Sequence, residues 1–349
     1  VRGADSMRWG NVVDSMRREG LEVEEFEVAG EPGTKVIEEG VALARSVSAG
    51  VVVGIGGGAV MDAGKAIAAM VRQPGELLEY LEVVGQGRSL DVGPLPFIAV
   101  PTTAGTGAEV TRNAVIGVPE HRVKVSLRHA SMLPRVALVD PELAVTLPSA
   151  QTAASGLDAL TQLLEPFVCK RANPMTDALC REGIPRVVRS LERAVAAGRD
   201  VEAREDLALG ALFSGMALAN AGLGAVHGFA APIGGMFPAP HGAVCAALLA
   251  PVWKVNLRRV DAAGDQGAML RFSEAARLLT GNPAAGASDA VEFLEALTRR
   301  LTIPGLSTYG VGEVDVGEIA DKASNASSMK ANPVELSREE LVGILRAAL

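Results

Sequence analysis

Two histidines stand fourteen residues apart in an otherwise apolar stretch, GAVHGFAAPIGGMFPAPHG, at residues 224–242. These two residues, His227 and His241, are half of the four histidines in the chain. Asp158 lies upstream among alanines and leucines, and a buried carboxylate needs a cation or several hydrogen-bond donors. One carboxylate and two neutral imidazoles form a reasonable ligand set for a divalent metal, with a fourth position open or weakly filled.

The same three residues also have a purely structural interpretation. A single buried histidine more often hydrogen-bonds within a core than binds a metal, and Asp158 could pair with a lysine or arginine elsewhere in the chain. Gln162 follows Asp158 by one helical turn and shares its face, which makes it a doubtful fourth ligand. Spacing alone leaves the metal site and the structural interpretation open.

Two glycine-rich segments follow predicted strands and are candidates for binding phosphate. The first, VVVGIGGGAVMDAGK at 51–65, would let backbone N–H groups approach an anion at a helix N-terminus. Taken alone, it is explained equally well as a tight turn. The second, PTTAGTGAEVT at 101–111, follows another strand and is rich in hydroxyls and glycine. Because ligands of open α/β sheets bind at the carboxyl ends of strands, the pair favours a nucleotide site.

The elements that must position these residues follow two patterns along the chain. Strand-like and helix-like runs alternate up to about residue 140, which predicts an open, mostly parallel α/β sheet. From Ser149 onward the segments have helical periodicity and hardly any β-branched runs. The predicted fold class is an α/β N-terminal dinucleotide-binding domain with a mostly parallel sheet, over 1–145, followed by an all-helical C-terminal metal and substrate domain, over 146–349.

Turn residues and periodicity also predict individual elements. Thr34 and Ser149 are expected to cap helices, and Pro166 is expected to end the second of these. Helices are predicted at 5–19, 34–49, 59–71 and about 150–165, and strands at 21–28, 51–54, 96–100, 113–118 and 135–140.

Composition narrows the classes of protein that this chain can belong to. Its 349 residues, of which 48% are hydrophobic, are enough for two globular domains. The net charge of −8 without a basic block argues against nucleic acid or an anionic membrane as partner. Three cysteines without zinc-type spacing, and no signal peptide or long apolar run, predict a cytoplasmic protein with reduced thiols.

Several ordered motifs resemble the iron-containing (group III) alcohol dehydrogenase family across nearly the whole chain. They are GIGGGAVMDAGKA (54–66), PTTAGTGAEVT (101–111), VALVDPEL (136–143), SGLDALTQLLEPFV (155–168), HGFAAPIGGMFPAPHG (227–242) and KANPVELSREEL (330–341). The resemblance implies a dehydroquinate synthase-like fold, in which a helical metal-binding domain follows a dinucleotide-binding α/β domain. It also implies a strand ahead of VRGAD (1–5) that is missing here, so the true start of the chain is expected upstream.

The resemblance assigns a role to each residue that matches a family motif. Those that match cofactor-binding positions are Gly56, Gly57, Gly58 and Asp62 for the pyrophosphate, Thr102, Thr103, Thr106 and Gly107 for the nucleotide and nicotinamide, and Lys124 for the cofactor ribose. Asp158, His227 and His241 match three of the family's four metal ligands. NAD-selective members of the family often carry an acid that would repel the 2′-phosphate of NADP, and Gly3 stands at that place here. The choice between NAD and NADP therefore stays open.

Two departures from the family lie near the implied metal. The usual second ligand, a histidine four residues after the aspartate, is Gln162 here. Glutamine can offer an amide oxygen, and the related glycerol dehydrogenases are similar in using only three protein ligands. A further histidine of the family is replaced by Ala231, so proton release would need water or a cofactor hydroxyl.

Together these observations predict an oxidoreductase that transfers hydride between NAD or NADP and a small alcohol or aldehyde. Fe²⁺ or Zn²⁺ would polarise the substrate oxygen, so that Asp158, His227 and His241 act through the metal. A metal-independent reductase of the maleylacetate reductase type is the main alternative, supported by Gln162 and Ala231. A dehydroquinate synthase-like lyase and a non-catalytic nucleotide binder are further alternatives. The substrate and the oligomeric state stay open, with a homodimer as one candidate.

Overall fold

A computed structural model describes residues 1–3 and 10–349 of the chain, which divides into two compact units. The first, here called the α/β unit, comprises residues 1–103 and 108–143. The second, here called the helical unit, comprises residues 104–107 and 144–349. The short segment Ala104–Gly107 thus belongs to the helical unit, although its neighbours along the chain belong to the α/β unit.

The α/β unit is built on a parallel sheet of five strands. Their order across the sheet is β2 (Glu27–Val28), β1 (Arg2–Gly3), β3 (Val52–Gly56), β4 (Phe97–Pro101) and β7 (Val136–Ala137). The residues of β3 and β4 are mostly buried, as expected where a parallel sheet is covered on both faces. A separate antiparallel hairpin joins β5 to β6. The hairpin strands are β5 (Asn113–Val118) and β6 (Val123–Arg128), and the helices are α1 (Gly10–Arg18), α2 (Thr34–Ser46), α3 (Gly58–Met70) and α4 (Leu77–Tyr80).

Several strand predictions were wrong in extent. Residues Arg2–Gly3 form β1 between β2 and β3, whereas the sequence suggested a turn after a missing strand. Of the strand expected at 21–28, only Glu27–Val28 forms a strand, because only these two residues pair with β1. The strand expected at 135–140 shrinks to Val136–Ala137, which pairs with only two residues of β4. The strand β6 was not predicted at all.

The start of α2 also differs from its prediction. Gly33, and not Thr34, is the N-cap residue, and no side chain caps this helix. Gly33 has an extended backbone and forms a bridge with Gly117 on β5, so the helix begins only at the next residue. The predicted end at Ala49 moves to Ser46. Residues 5–9 of the predicted first helix lie outside the described residues.

The helical unit is organised around one long buried helix, α5 (Ser149–Val168), whose residues from Gly156 to Val168 are all buried. A helix that is buried all round lies in the core of its domain, and α5 packs against α6, α7, α9 and α10. The parallel sheet followed by a mostly helical unit confirms the predicted fold class. The other helices are α6 (Pro174–Ala196), α7 (Val201–Asn220), α8 (Ala225–Met236), α9 (His241–Ala262), α10 (Gln266–Thr280), α11 (Ala287–Arg300), α12 (Val316–Ser324) and α13 (Arg338–Ala348).

The predicted bounds of α5 were wrong at both ends. Pro148 is the N-cap in place of Ser149, and the helix continues through Pro166 to Val168. A proline in a helix removes one backbone hydrogen bond, and here the packing of the buried last turn outweighs that loss. Within the described residues no single helix is long and apolar enough to cross a membrane, and α7 with α8 meets that criterion only as a pair bent by 97°.

Candidate metal and dinucleotide sites

Three helices of the helical unit bring the predicted metal ligands together. Asp158 lies in α5, His227 is the third residue of α8, and His241 is the first residue of α9. Gly224 and Pro240 are the N-caps of α8 and α9, and both have extended backbones from which the helices start. The two histidines therefore lie in the first turns of consecutive helices.

The facing atoms of this group are close enough to share one ion. Asp158 Oδ1 lies 3.5 Å from His227 Nε2 and 3.7 Å from His241 Nε2. Cys245, one turn after His241 on α9, places its Sγ 3.8 Å from His227 Nε2 and 3.6 Å from His241 Nε2. One ligand atom from each of these four residues lies within 4.8 Å of the others. We call these four residues the ligand cluster.

The burial of the ligand cluster fits a bound cation. Asp158 is 1% exposed, and its Oδ1 has no hydrogen-bond partner among the described residues. A buried acceptor without a partner costs about 1–3 kcal/mol, and a charged one more. Nitrogen, oxygen and sulfur donors converging around an unpaired carboxylate oxygen are what a divalent transition metal requires. The side chain of His241 is 31% exposed, which leaves access to the cluster from one side.

Glu165 supports the cluster from behind His227. Its Oε2 accepts a 2.7 Å hydrogen bond from His227 Nδ1, and its Oε1 accepts one of 2.7 Å from the backbone N–H of Val226. When a metal displaces the proton from Nε2, this hydrogen bond keeps the other proton on Nδ1, so that the Nε2 lone pair is available to the metal. A Cβ at Gly224 would lie 2.8 Å from Glu165 Oε1, so the glycine leaves the room that this carboxylate occupies.

Electrostatics in the metal-free cluster favour protonated imidazoles. Burial opposes the charge on His227, but electrostatic interactions with Cys245 and Glu165 outweigh it and raise its pKa well above the usual value. Burial also opposes the charge on His241, but electrostatic interactions with Cys245 and Asp158 outweigh it and raise the pKa of His241 to about 9. For Asp158, burial is outweighed by the charge of His241 and the pKa is lowered. A metal ion that binds here displaces protons from the imidazoles.

Gln162 is buried beside Asp158, but its amide nitrogen has other partners. It donates to the backbone carbonyl of Thr106 at 2.8 Å and to the hydroxyl of Ser214 at 3.0 Å. The amide thereby ties the segment 104–107 to α5 and α7. Gly107 in that segment has φ +58° and approaches α7 so closely that a Cβ would lie 2.5 Å from the Ala211 carbonyl oxygen.

The predicted pyrophosphate loop lies at the start of α3 in the α/β unit. Gly56 ends β3, Gly57 is the N-cap residue, and Gly58 begins the helix. A Cβ at Gly56 would lie 2.5 Å from Val60, and one at Gly57 would lie 3.2 Å from Thr103. The free backbone N–H groups at the start of a helix can bind an anion. At the start of α3, the contact with Val60 leaves no room for a side chain at Gly56, and the contact with Thr103 leaves little at Gly57.

The other predicted cofactor residues of the α/β unit already have partners. Thr102 donates its backbone N–H to the Gly56 carbonyl at 2.9 Å, which joins the two loops. Asp62 accepts the Val115 N–H at 3.1 Å and pairs with Lys65 at 3.1 Å, and burial raises its pKa against the charge of Lys65. The Lys124 ammonium lies 3.7 Å from Glu31. Their contacts with a cofactor stay predictions.

Sequence reasoning missed Glu165 and Cys245. Both occur at helical spacings that could have been used, because Glu165 follows Asp158 by seven residues and Cys245 follows His241 by four. The cysteines were compared only with zinc-type spacing along the chain, whereas the group that contains Cys245 is assembled from three helices.

Comparison with known proteins places this architecture among characterised enzymes. Residues 2–141 match the family described as iron-containing alcohol dehydrogenase, and residues 152–349 match the C-terminal part of the Fe-containing alcohol dehydrogenase family. The chain is 35% identical to 1,3-propanediol dehydrogenase of Klebsiella pneumoniae, with 95% of this chain and 85% of that protein covered. It is 34% identical to NAD-dependent methanol dehydrogenase of Bacillus methanolicus, with 97% and 87% covered. The solved structure of a 1,3-propanediol oxidoreductase aligns with a TM-score of 0.90 at 34% identity, covering 100% of this chain and 91% of the other.

Proposed function

Because this chain belongs to the iron-containing alcohol dehydrogenase family, we propose that it interconverts a small alcohol and its aldehyde with NAD(H), at a divalent metal held by Asp158, His227 and His241. The buried Oδ1 of Asp158, which has no hydrogen-bond partner among the described residues and has two imidazole nitrogens 3.5 and 3.7 Å away, carries the metal part of this proposal. The relatives named for 1,3-propanediol and methanol support a small alcohol as substrate, and the relative named as NAD-dependent supports NAD.

Each group of residues has a separate task in the proposed reaction. When bound, the metal supplies a Lewis acid for the substrate oxygen and the nicotinamide supplies the hydride acceptor or donor. Asp158, His227 and His241 would hold the metal, and Glu165 fixes the orientation of the His227 ring. The N–H groups at the start of α3, around Gly57 and Gly58, would bind the pyrophosphate. Residue 231 is alanine and offers no group for the proton, which would have to pass to water.

The test combines metal removal with one histidine substitution. The purified protein, stripped of metal, is assayed for NADH formation and oxidation with a panel of small alcohols and aldehydes, with and without added Zn²⁺ or Fe²⁺. We expect activity only with metal, and a loss of kcat/KM of about 100-fold or more in His241→Ala, since Lewis-acid stabilisation is worth several kcal/mol. His121→Ala removes an exposed histidine of the α/β unit and serves as the matched control. Full activity of metal-free His241→Ala would show a metal-independent reductase instead.

A further inference from the structure

We propose that Cys245 is the fourth metal ligand of this site and that the resulting Asp/His₂/Cys set binds zinc in preference to iron. The sequence offered Gln162 only as a doubtful candidate for the fourth position. The inference rests on the proposed metal-dependent function, and it names the ligand and the metal that this function leaves open.

Four of the six distances within the ligand cluster are close to those of a tetrahedral zinc site. Zinc binds nitrogen and oxygen at about 2.0–2.1 Å and thiolate sulfur at about 2.3 Å, so a tetrahedron has edges of about 3.3–3.4 Å between N and O and about 3.5–3.6 Å between N and S. The two O–N separations are 3.5 and 3.7 Å. The two N–S separations are 3.6 and 3.8 Å. Each of these four separations is within about 0.4 Å of the zinc value, and all the ligand atoms lie within 4.8 Å of one another.

The surroundings of Cys245 favour a ligand over an ordinary core thiol. The residue is fully buried, and its Sγ lies among the nitrogens of His227 and His241 and the carboxylate of Asp158. Because Cys245 and His241 are one turn apart on α9, the helix backbone holds both donors on one face. Asp158 Oδ1 is buried without a hydrogen-bond partner among the described residues, lies in the same group and is the second, independent sign that a cation belongs there.

The amide nitrogen of Gln162 already has partners outside the ligand cluster. It donates to Thr106 and Ser214, which ties the side chain to the segment 104–107 and to α7. We infer that Gln162 positions the 104–107 segment, while Cys245 supplies the fourth donor atom.

Charge and ligand softness determine which metal this set prefers. A thiolate and a carboxylate together neutralise the two positive charges of a divalent cation in a buried site, whereas a carboxylate and an amide leave one charge uncompensated. For a given set of nitrogen, oxygen and sulfur ligands, Zn²⁺ generally binds more tightly than Fe²⁺, and four-coordinate sites that contain thiolate and imidazole are typical of zinc. The loss of a histidine at position 162 is therefore compensated by a sulfur ligand from α9.

Cobalt spectroscopy tests the ligand directly and without reference to turnover. The metal-stripped protein is titrated with Co²⁺, and a near-ultraviolet sulfur-to-cobalt charge-transfer band reports a thiolate ligand. We expect the band in wild type, in Gln162→Ala and in the control Cys180→Ser, since Cys180 is an equally buried cysteine on α6. Cys245→Ser should lack the band. A band that persists in Cys245→Ser, or is absent from cobalt-loaded wild type, overturns the assignment.

Affinity and zinc X-ray absorption measurements keep the inference falsifiable if one variant folds poorly. In a chelator competition, Cys245→Ser should bind Zn²⁺ at least about 100-fold more weakly, a loss beyond that of outer-shell changes, and Fe²⁺ affinity should fall less. Zinc-loaded wild type should show one sulfur neighbour in its absorption fine structure. Tight zinc binding with only nitrogen and oxygen neighbours would overturn the role of Cys245 and leave the proposed metal-dependent function intact. A wild-type protein that binds neither Zn²⁺ nor Co²⁺ would overturn both.

Discussion

At the scale of single residues, Glu165 determines how well His227 can bind a metal. Both carboxylate oxygens accept hydrogen bonds, from His227 Nδ1 and from the Val226 N–H, each at 2.7 Å. Glu165→Gln keeps the size but turns one acceptor into a donor, so one of these two donors faces an NH₂ group. Zinc affinity should fall about 10- to 100-fold, as for other outer-shell partners of ligating histidines.

Isothermal titration of the metal-stripped protein with Zn²⁺ measures this loss. Glu205→Gln, at an exposed position on α7, is the matched control and should bind zinc like wild type. Equal zinc affinity in Glu165→Gln and wild type would mean that the carboxylate does not orient the ring.

Sequence reasoning predicted part of the site at this scale and missed the rest for an identifiable reason. Asp158, His227 and His241 were selected because polar side chains in apolar surroundings need a partner, and the structure places the Nε2 atoms of both histidines within 3.7 Å of Asp158 Oδ1. Cys245 in an apolar helix looks like any small core residue until the structure places α9 beside α8. A buried cysteine carries too little chemical signal by itself.

At the scale of elements, α6 and α7 are joined by a carboxylate with three donors. Asp206 on α7 accepts hydrogen bonds from Arg186, Arg189 and Ser190 of α6, at 2.6–2.8 Å. Asp206→Asn removes the charge and leaves donors facing an NH₂ group. The free energy of unfolding should fall by about 1–2 kcal/mol, because hydrogen bonds to a charged group are weakened, although the partly exposed arginines can turn to water. Urea denaturation at neutral pH measures it.

The same residue gives a pH dependence of known sign. Burial raises the pKa of Asp206, but Arg189 and Ser190 outweigh it, so the folded value lies below the ordinary 3.8. The charged form thus stabilises the fold above pH 3.8, and this contribution is lost as the pH falls through the folded pKa. The stability difference between wild type and Asp206→Asn should narrow under acid conditions. A difference that stays constant down to pH 2 would assign the loss to packing instead.

The bounds of an element were predicted correctly where one sequence pattern extends over many residues. They were predicted incorrectly where the bounds depend on strand pairing or on tertiary packing. The strand β5 matched its predicted range because six residues alternate and pair fully with β6. The strands β2 and β7 are only two residues long, because each pairs with only two residues of its neighbour. Pro166 did not end α5, since the core of the helical unit packs around the whole last turn.

At the scale of the whole molecule, the change of periodicity after residue 140 was enough to predict two structural classes in one chain. What periodicity could not show is that Ala104–Gly107 belongs to the helical unit, because four residues carry no periodic pattern. Hydrogen bonds of Gln162 and Ser214 to the carbonyls of Thr106 and Gly105 attach this segment, and both arise from residues distant in sequence.

This division predicts where metal binding stabilises the molecule. The four residues of the ligand cluster all come from α5, α8 and α9 of the helical unit. A ligand that binds only the folded state adds about 2.7 kcal/mol to the free energy of unfolding when its concentration is 100 times its dissociation constant. Hydrogen exchange that requires the metal to be released should then slow about 100-fold. Hydrogen exchange with mass spectrometry should therefore show zinc-dependent protection in these helices, while the amides of β3 and α3 exchange at unchanged rates. NADH without metal should give the reverse pattern, with protection at residues 54–59. Equal zinc protection of both units would contradict a site confined to the helical unit. A metal held only by residues of one unit stabilises that unit against local opening.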